Sequence, residues 1–336
     1  MPRRSSNCGA LWHASKRAEL AKLRDIALRR YLFKRLRRGL ITLWLTTLAV
    51  FMLLRITGNP IDFMATPGMS QADLESIKEA YGFNKPIYVQ YVIFIKSVFA
   101  GDFGKSMRWA QRDAFDLYMS RLPATVLLVG SALVFSMVLG LAFGMLSATR
   151  PESMVDRAVK VLAITGQSMP AFWLGLLFIL LFTVYLGWLP SAGGPERVGL
   201  QGLIMPAISL GWFLVAANTR LVRSSMLDAL DSDYIKMVRA KGLRRRAVIW
   251  KHALKNAALP IITLFAVNFA LLLGGAVVTE SIFAWPGIGR LLVESVFARD
   301  YTVIQTVVFF SATIIVILNI AVDLCYAWLD PRVRLE

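Results

Sequence analysis

Six long apolar runs alternate with polar segments along this chain. Each run is close to or above the ~17 to 25 residues that a helix needs to cross the hydrocarbon layer of a membrane. The runs are continuously apolar, whereas the strands of a membrane β-barrel alternate apolar and polar residues. Because backbone groups in lipid must find their hydrogen bonds within the span, the pattern predicts six transmembrane helices. In chain order the predicted spans are Leu40 to Thr57, Leu122 to Ala148, Val161 to Leu189, Leu203 to Thr219, Asn256 to Thr279 and Thr302 to Leu329.

The third run, Val161 to Leu189, is longer than a ~30 Å hydrocarbon layer requires at ~1.5 Å per residue. Such a span must tilt, protrude or bend. It contains Pro170, in the segment GQSMPAFW, and proline interrupts a helix because it lacks a backbone N–H. We therefore expect a bend at Pro170.

Composition supports a membrane protein, because 57% of residues are hydrophobic and only 18% are charged. The fold class is thus an all-α polytopic membrane protein. The net charge of +17 could suggest a nucleic-acid partner, but the basic residues recur beside uncharged runs, where lysine and arginine orient spans and meet lipid headgroups. Cys8 and Cys325 are too few for a disulfide framework, so both are expected to stay as thiols.

The distribution of lysine and arginine predicts the orientation of the chain. With both termini in the cytoplasm, 27 of these residues lie in cytoplasmic segments and 10 in external ones. The side with the excess is usually cytoplasmic. The first apolar run has no convincing cleavage site, so it is expected to be retained as a span. The expected location is the bacterial cell (inner) membrane, with the N-terminus and the C-terminus cytoplasmic.

The polar segment 58–121 is expected to form a small folded cap outside the membrane. Its stretch SQADLESIKEAYGF has helical periodicity, with Ser70 as the N-cap, Asp73 as the third helical residue and Gly82 at the end.

The neighbouring stretch GDFGKSMR, from Gly101 to Arg108, has some likeness to a phosphate-binding loop. The pattern G-x-x-x-x-G-K-[ST] would need a glycine where Phe99 stands, and the segment is expected outside the cytoplasm. We interpret it as a glycine-rich turn.

Titratable residues form no catalytic or metal-binding pattern in the sequence. His13 and His252 lie among basic residues, without a carboxylate or cysteine at ligand spacing. We therefore predict no cofactor, no metal and no enzymatic activity. Within the spans, Arg55 and Glu280 lie near the outer ends and are expected to snorkel, while Asp323 near the inner end is expected to pair with a cytosolic lysine or arginine. A proton relay is the alternative, although relays usually place carboxylates deeper in the bilayer.

The strongly basic segment Tyr234 to Pro260, YIKMVRAKGLRRRAVIWKHALKNAALP, lies between two predicted spans. Two short helices, Tyr234 to Ala240 and Arg244 to Lys255, are predicted around Gly242, which can supply an unusual backbone turn. Charge alone favours an ordinary positive-inside loop. The predicted membrane anchors are Val248, Ile249, Trp250 and Leu254. The cations left exposed are Arg239, Lys241, Arg244, Arg245, Arg246 and Lys251.

This segment resembles the cytosolic coupling segment of ABC importer permeases of the dipeptide, oligopeptide and nickel branch, dipeptide-permease first-subunit type. The likeness covers the chain from about residue 30 to the C-terminus. Its ordered motifs are RITGNPID, YGFNKPIYVQY, GDFGKS, RLPATVLL, SMPAFWLG, WLPSAGG, LIMPAISLG, TRLVRSSML, VTESIFAWPGIGRLL, RDYTVIQ and NIAVDLCYAWLDPRVR. One departure is that the acidic residue and two alanines of the general permease signature are replaced by Lys236, Met237 and Val238.

The resemblance implies a type I ABC importer permease fold with six transmembrane helices and an external cap between helices 1 and 2. It implies a second homologous permease, two cytosolic ABC ATPase subunits and an external solute-binding protein as partners. The implied domains are the basic tail and elbow 1–39, helix 40–57, cap 58–121, core permease domain 122–329 with coupling segment 234–260, and tail 330–336. The implied ATPase-coupling residues are Tyr234, Arg239, Ala240, Lys241, Gly242, Leu243 and His252.

Polar residues in the middle spans are candidates for the translocation path, because unpaired polar groups in lipid face cavities or other helices. They are Gln167, Ser168, Asn218 and Asn268. Helix-packing contacts are the alternative explanation. Two other functions stay open, a stand-alone ion-coupled secondary transporter or channel and a membrane scaffold. Peptides are the expected cargo, with nickel chelates, sugars and opines also open.

Overall fold

A computed structural model describes the backbone of residues 6–56 and 84–329, together with Glu75 and Glu79. These residues form α-helices and two π-helical segments, and one isolated antiparallel bridge joins Lys105 to Asp113. The helix predicted from Ser70 to Gly82 lies almost entirely outside the described residues.

The helices are numbered in chain order. They are α1 Ser6–Ile56, α2 Ile87–Ala100, α3 Ala114–Thr149, α4 Met154–Ser168, α5 Ala171–Phe178, α6 Pro195–Val198, α7 Gln201–Asp231, α8 Asp233–Ala240, α9 Arg245–Ala247, α10 Leu254–Ile282, α11 Ile288–Phe297 and α12 Tyr301–Leu329. A π-helical segment, Ile179–Tyr185, continues α5, and a second, Val248–Ala253, joins α9 to α10.

Five of the six predicted spans are single helices, in α1, α3, α7, α10 and α12. The remaining span is broken, because α4 and the helix Ala171–Tyr185 meet at an angle of 98°. The break lies at Met169 and Pro170, which both have extended backbone angles. A residue before proline is disfavoured in the helical region, so the sequence itself ends α4 here. The predicted bend at Pro170 is confirmed.

Helices α3 and α7 share the most extensive helix contact in the described chain. Gly140 and Gly144 form a G-x-x-x-G pattern on α3, which lets two helix backbones approach closely. A Cβ atom on Gly144 would lie 2.5 Å from Cβ of Val222, and a Cβ on Gly140 would clash with Asn218. These two glycines therefore set the α3–α7 distance.

Helix α1 lies at the periphery and is continuous from the basic tail through the first span. It crosses α12 where a Cβ atom on Gly39 would lie 2.6 Å from Cγ1 of Val316. One side of this crossing is closed by an ion pair in which Arg35 Nε lies 2.8 Å from Asp323 Oδ2. The expected pairing of Asp323 with a basic residue is confirmed.

Glu280, near the outer end of α10, is fully buried, so the expectation that it snorkels is wrong. Its carboxylate accepts hydrogen bonds from Thr125 Oγ1 at 2.6 Å and from the backbone N–H of Arg290 at 3.0 Å. Arg290 lies in the first turn of α11, where unpaired N–H groups favour a negative charge. Glu280 thus joins α3, α10 and α11 inside the protein.

The side chain of Arg55 packs against two aromatic rings. Its guanidinium carbon lies 4.9 Å from the ring centre of Phe51 and 5.6 Å from that of Tyr301. Contact with aromatic faces stabilises a cation at this depth.

The segment before α3 and the turn before α12 are tied to one another through Asp300. Its carboxylate accepts hydrogen bonds from Ser106 Oγ at 2.6 Å and from the Met107 N–H at 3.0 Å. Gly101 and Gly104 have φ values of 74° and 73°, so GDFGKSMR is the predicted glycine-rich turn. The loop before α7 is held to the end of α10, because the Gly193 N–H donates to the Phe283 carbonyl at 3.1 Å.

Candidate functional site

The basic segment Tyr234–Pro260 folds as a helix, a tight turn and a second helix that continues into α10. Helix α8 begins after Ser232, whose hydroxyl accepts from the Ile235 N–H as an N-cap. At the other end, Gly242 has φ +76° and donates its N–H to the Arg239 carbonyl at 3.0 Å. Glycine adopts this left-handed conformation without steric cost. The predicted short helix before Gly242 is confirmed as α8. The second, Arg244 to Lys255, is wrong as a separate element, because its residues form α9, the π-helical segment and the start of α10, which continues through Pro260.

The lower side of this segment, which we define as the side that faces α3 and α7, belongs to a hydrophobic cluster that also contains residues of those helices. Ile235 and Val238 on α8 and Val248 on the π-helical segment are buried, and they pack with Met145 of α3 and Met226 of α7. Since close-packed interiors transmit displacement, a force on α8 reaches both spans. The expected anchors Ile249 and Leu254 pack against the same cluster. Trp250 does not, because 59% of its surface is exposed.

The upper side of the segment, which is the side turned away from α3 and α7, is exposed and strongly basic. Tyr234 and Met237 on α8 are about half exposed, and the hydroxyl of Tyr234 lies 2.7 Å from Nδ1 of His252. That hydrogen bond joins the two arms of the segment across the Gly242 turn. Of the predicted coupling residues, those that are exposed are Tyr234, Arg239, Ala240, Lys241, Gly242 and Leu243, and His252 is partly buried.

A cavity of about 580 Å³ separates the Gly242 turn from the ends of α3 and α7. Arg239 and Leu243 line it from one side, and Leu230 of α7 lines it from the other. Arg245 bridges the gap by donating from Nη2 to the carbonyl of Thr149 at 2.9 Å. The arm after Gly242 is thus hydrogen-bonded to the end of α3.

Beside this segment, a buried carboxylate that sequence reasoning missed joins three helices. Asp156, in the first turn of α4, is fully buried. It accepts hydrogen bonds from Arg223 of α7, with Nε at 3.1 Å and Nη2 at 3.3 Å, and from the Ser147 hydroxyl of α3. Lys160 Nζ lies 2.9 Å from its second oxygen. We call Asp156, Ser147, Lys160 and Arg223 the Asp156 cluster.

One local signal could have located this carboxylate. Ser153 and Asp156 have the spacing of a capping box, and the structure shows one of its two hydrogen bonds together with a bond to the preceding residue. The Ser153 hydroxyl accepts from the Asp156 N–H at 3.2 Å, and Asp156 accepts from the Glu152 N–H at 3.0 Å. The pairing with Arg223 has no such signal, because these residues are 67 positions apart.

Comparison with known proteins identifies the chain. Residues 140–335 match the family of binding-protein-dependent transport system inner membrane components, and residues 28–129 match the N-terminal domain of such membrane components.

The chain belongs to this family of ABC transporter permeases.

Relatives support this assignment over nearly the whole permease. This chain is 40% identical over 302 residues to the oligopeptide transport system permease protein AppB of Bacillus subtilis, and the match covers 88% of this chain and 95% of AppB. It is 36% identical over 305 residues to the glutathione transport system permease protein GsiC of Escherichia coli K12, covering 90% of this chain and 98% of GsiC. A structure of the MetNI methionine ABC transporter in an inward-facing conformation matches 64% of this chain and 97% of its own, with a TM-score of 0.54 at 19% identity. That likeness confirms the type I importer fold.

The four residues predicted to line the path of the permease lie in two different environments. Asn218 and Asn268 are buried, and Asn268 donates its amide N–H to the Asn218 side-chain oxygen at 2.8 Å. This contact joins α7 to α10. Gln167 and Ser168 are exposed at the end of α4, next to the bend at Pro170. The structure therefore does not bring the four together.

Proposed function

We propose that this permease is the membrane subunit of an ATP-driven importer and that its segment Tyr234–Pro260 receives the force of separate cytosolic ATPases. The observation that carries the proposal is the two-sided build of that segment. Its upper side is exposed and basic, and its lower side is continuous with the core of α3 and α7. In this scheme the chain has no enzymatic activity of its own.

The distribution of charge supports the proposed orientation. Placing both termini in the cytoplasm puts 27 lysine and arginine residues on the cytoplasmic side and 10 outside. This orientation also puts the coupling segment and the Asp156 cluster on the side where ATP is available. Closure of the ATPases would then shift the permease between two states through contacts that differ between them.

The opposite side offers a surface for a solute-binding protein. Three external loops, from 58–121, 190–202 and 280–301, are candidates for that contact. Two hydrogen-bonded links support a shared surface, Ser106 to Asp300 and Gly193 to Phe283. Substrate would then pass between this permease and a second, homologous one.

Peptides are the proposed cargo. AppB is an oligopeptide permease and GsiC a glutathione permease, and both align with about nine-tenths of this chain. Oligopeptides and glutathione share a peptide backbone, so the proposed class is short peptides.

A cross-linking experiment tests the coupling site. Cys8 and Cys325 are first replaced by serine, and a single cysteine is then introduced as Met237→Cys, where the side chain is 58% exposed. The matched control is Phe297→Cys, which is 82% exposed at the end of α11 on the opposite side. We expect Met237→Cys, but not Phe297→Cys, to cross-link to the ATPase that copurifies with the full chain. Equal cross-linking of the two variants would contradict the proposed site.

The alternative, a stand-alone ion-coupled transporter, has its own test. The permease alone in liposomes, under a proton or sodium gradient, should take up no labelled tripeptide. Uptake should require the ATPases, ATP and the binding protein. Gradient-driven uptake by the chain alone would overturn the importer proposal.

A further inference from the structure

A long apolar groove lies between the peripheral helix α1 and the body of the permease. Its volume is about 710 Å³, and its walls come from α1, α3, α10, α11 and α12. Sites for small molecules and cofactors have volumes of roughly 300 to 1,000 Å³. Most of the lining side chains are apolar, such as Leu273 and Ile315. The groove is therefore large enough for a ligand and is built to take a hydrocarbon.

The length of the groove matches a lipid tail better than a compact ligand. Its lining on α12 extends from Val307 to Asp323. At ~1.5 Å per residue this is about 24 Å along the helix, whereas half of a ~30 Å hydrocarbon layer is ~15 Å. The groove is thus longer than one leaflet, so a fatty acyl chain could lie along it without leaving the protein.

One end of the groove is polar and positively charged. Arg35 and Arg38 of α1 face Asn319 and Asp323 of α12 at this end. Arg35 donates from Nη2 to Asp323 Oδ1 at 2.9 Å, and its Nε lies 2.8 Å from Oδ2, so these two charges form an ion pair. Arg38 lines the same end and is exposed, and no ion pair joins it to a carboxylate among the described residues. A negatively charged group with oxygen acceptors suits this end.

The apolar length of the groove and its polar, basic end together suit an amphipathic ligand. Basic pockets between transmembrane helices on the cytoplasmic side bind anionic lipid headgroups. We propose that the groove between α1 and α12 binds one anionic phospholipid, with its phosphate at Arg38 and an acyl chain along α12. The lipid would come from the inner leaflet in the orientation given above. Helix α1 would then be held to the body partly through a lipid.

Two adjacent glycines give a matched test of the groove. Gly274 lines it and Gly275 does not, and a Cβ atom on either would meet nothing within 4 Å. Leucine at Gly274 should therefore fill the groove, while leucine at Gly275 should leave it open. Arg38 and Arg37 form a second matched pair, because both are exposed but only Arg38 lines the groove.

The probe is a mixture of equal parts phosphatidylglycerol and phosphatidylcholine. It is added to the delipidated full-length permease with its copurifying subunits, and bound lipid is counted by native mass spectrometry. The wild type should retain one phosphatidylglycerol in preference to phosphatidylcholine. Arg38→Gln should weaken that retention about fivefold, as expected for one cation near a lipid surface, and Arg37→Gln should not. Gly274→Leu should abolish retention, and Gly275→Leu should match the wild type.

Several outcomes would overturn the proposal. One is a wild type that shows no preference for the anionic lipid, and another is equal retention by the Gly274→Leu and Gly275→Leu variants. A disulfide between Gly274→Cys and the second permease would show that a helix of that subunit fills the groove instead. If Gly274→Leu lowers the yield of folded protein, Ala312→Phe fills the same groove from α12 and must give the same loss of lipid.

Discussion

Substitution of Gly242 tests whether the shape of the coupling turn matters for transport. At φ +76° an L-residue pays about 1 to 2 kcal/mol relative to glycine, and a β-branched residue lies at or above the top of that range. A Cβ atom there would meet nothing within 4 Å, so the cost comes from the backbone alone. We therefore expect the defect to increase in the order Gly242→Asn, Gly242→Ala and Gly242→Val, because asparagine tolerates the left-handed conformation.

The assay is the number of ATP molecules hydrolysed per peptide imported, measured in proteoliposomes that contain the assembled transporter. A cost of 1 to 2 kcal/mol corresponds to a factor of about 5 to 30 in the population of the native turn. Gly242→Val should raise the ATP-to-peptide ratio by up to about that factor, at a normal level of inserted protein. Gly187→Val is the control, because Gly187 also has a positive φ, of 64°, and free space around it, but lies far along the chain from the coupling segment. Wild-type coupling in Gly242→Val would refute the reasoning.

Three further substitutions probe the packing that supports the site. Asp156→Ala should destabilise the permease by about 1.5 to 3 kcal/mol, because it removes the charge-assisted hydrogen bonds that the buried carboxylate accepts from the partly buried Arg223. Glu152→Gln, at an exposed pair, should change stability by less than about 1 kcal/mol. Thermal unfolding in detergent measures both, and equal effects would argue against the Asp156 cluster. Gly144→Leu should separate α3 from α7 and sharply lower the amount of folded chain. Gly130→Leu is the control, because a Cβ atom there has open space and the yield should not fall. Normal folding of Gly144→Leu would contradict the close approach of the α3 and α7 backbones. Asn268→Ala should lower the stability of the permease by about 1 to 3 kcal/mol, because the buried side-chain oxygen of Asn218 loses its donor, and peptide selectivity should change little. Altered selectivity at normal stability would place Asn268 in the translocation path.

Features that depend on local chemistry could be predicted from the sequence. The spans follow from continuous apolar runs, the 98° bend follows from Pro170, and the left-handed turn follows from Gly242. Each of these requires only the neighbouring residues. The two arms of the coupling segment follow for the same reason.

Features that depend on distant partners could not be predicted. Glu280 lies near the end of a span, where a carboxylate normally snorkels, but Thr125, 155 positions earlier, satisfies it inside the protein. Asp156 stands in what sequence suggests is an ordinary loop, and its burial depends on Arg223. Local patterns carry no information on such pairings.

The Asp156 cluster has a consequence for how the permease can move. A buried carboxylate cannot leave its cations gradually, because each partial separation exposes uncompensated charge in a medium of low dielectric constant. Helices α3, α4 and α7 should therefore rotate as a single rigid body near the coupling segment. Relative motion is then left to the hinge at Pro170, beyond which α5 has no ion pair within the described chain to restrain it. In mechanical terms the cluster acts as a fixed joint, and the proline bend is where the permease can flex.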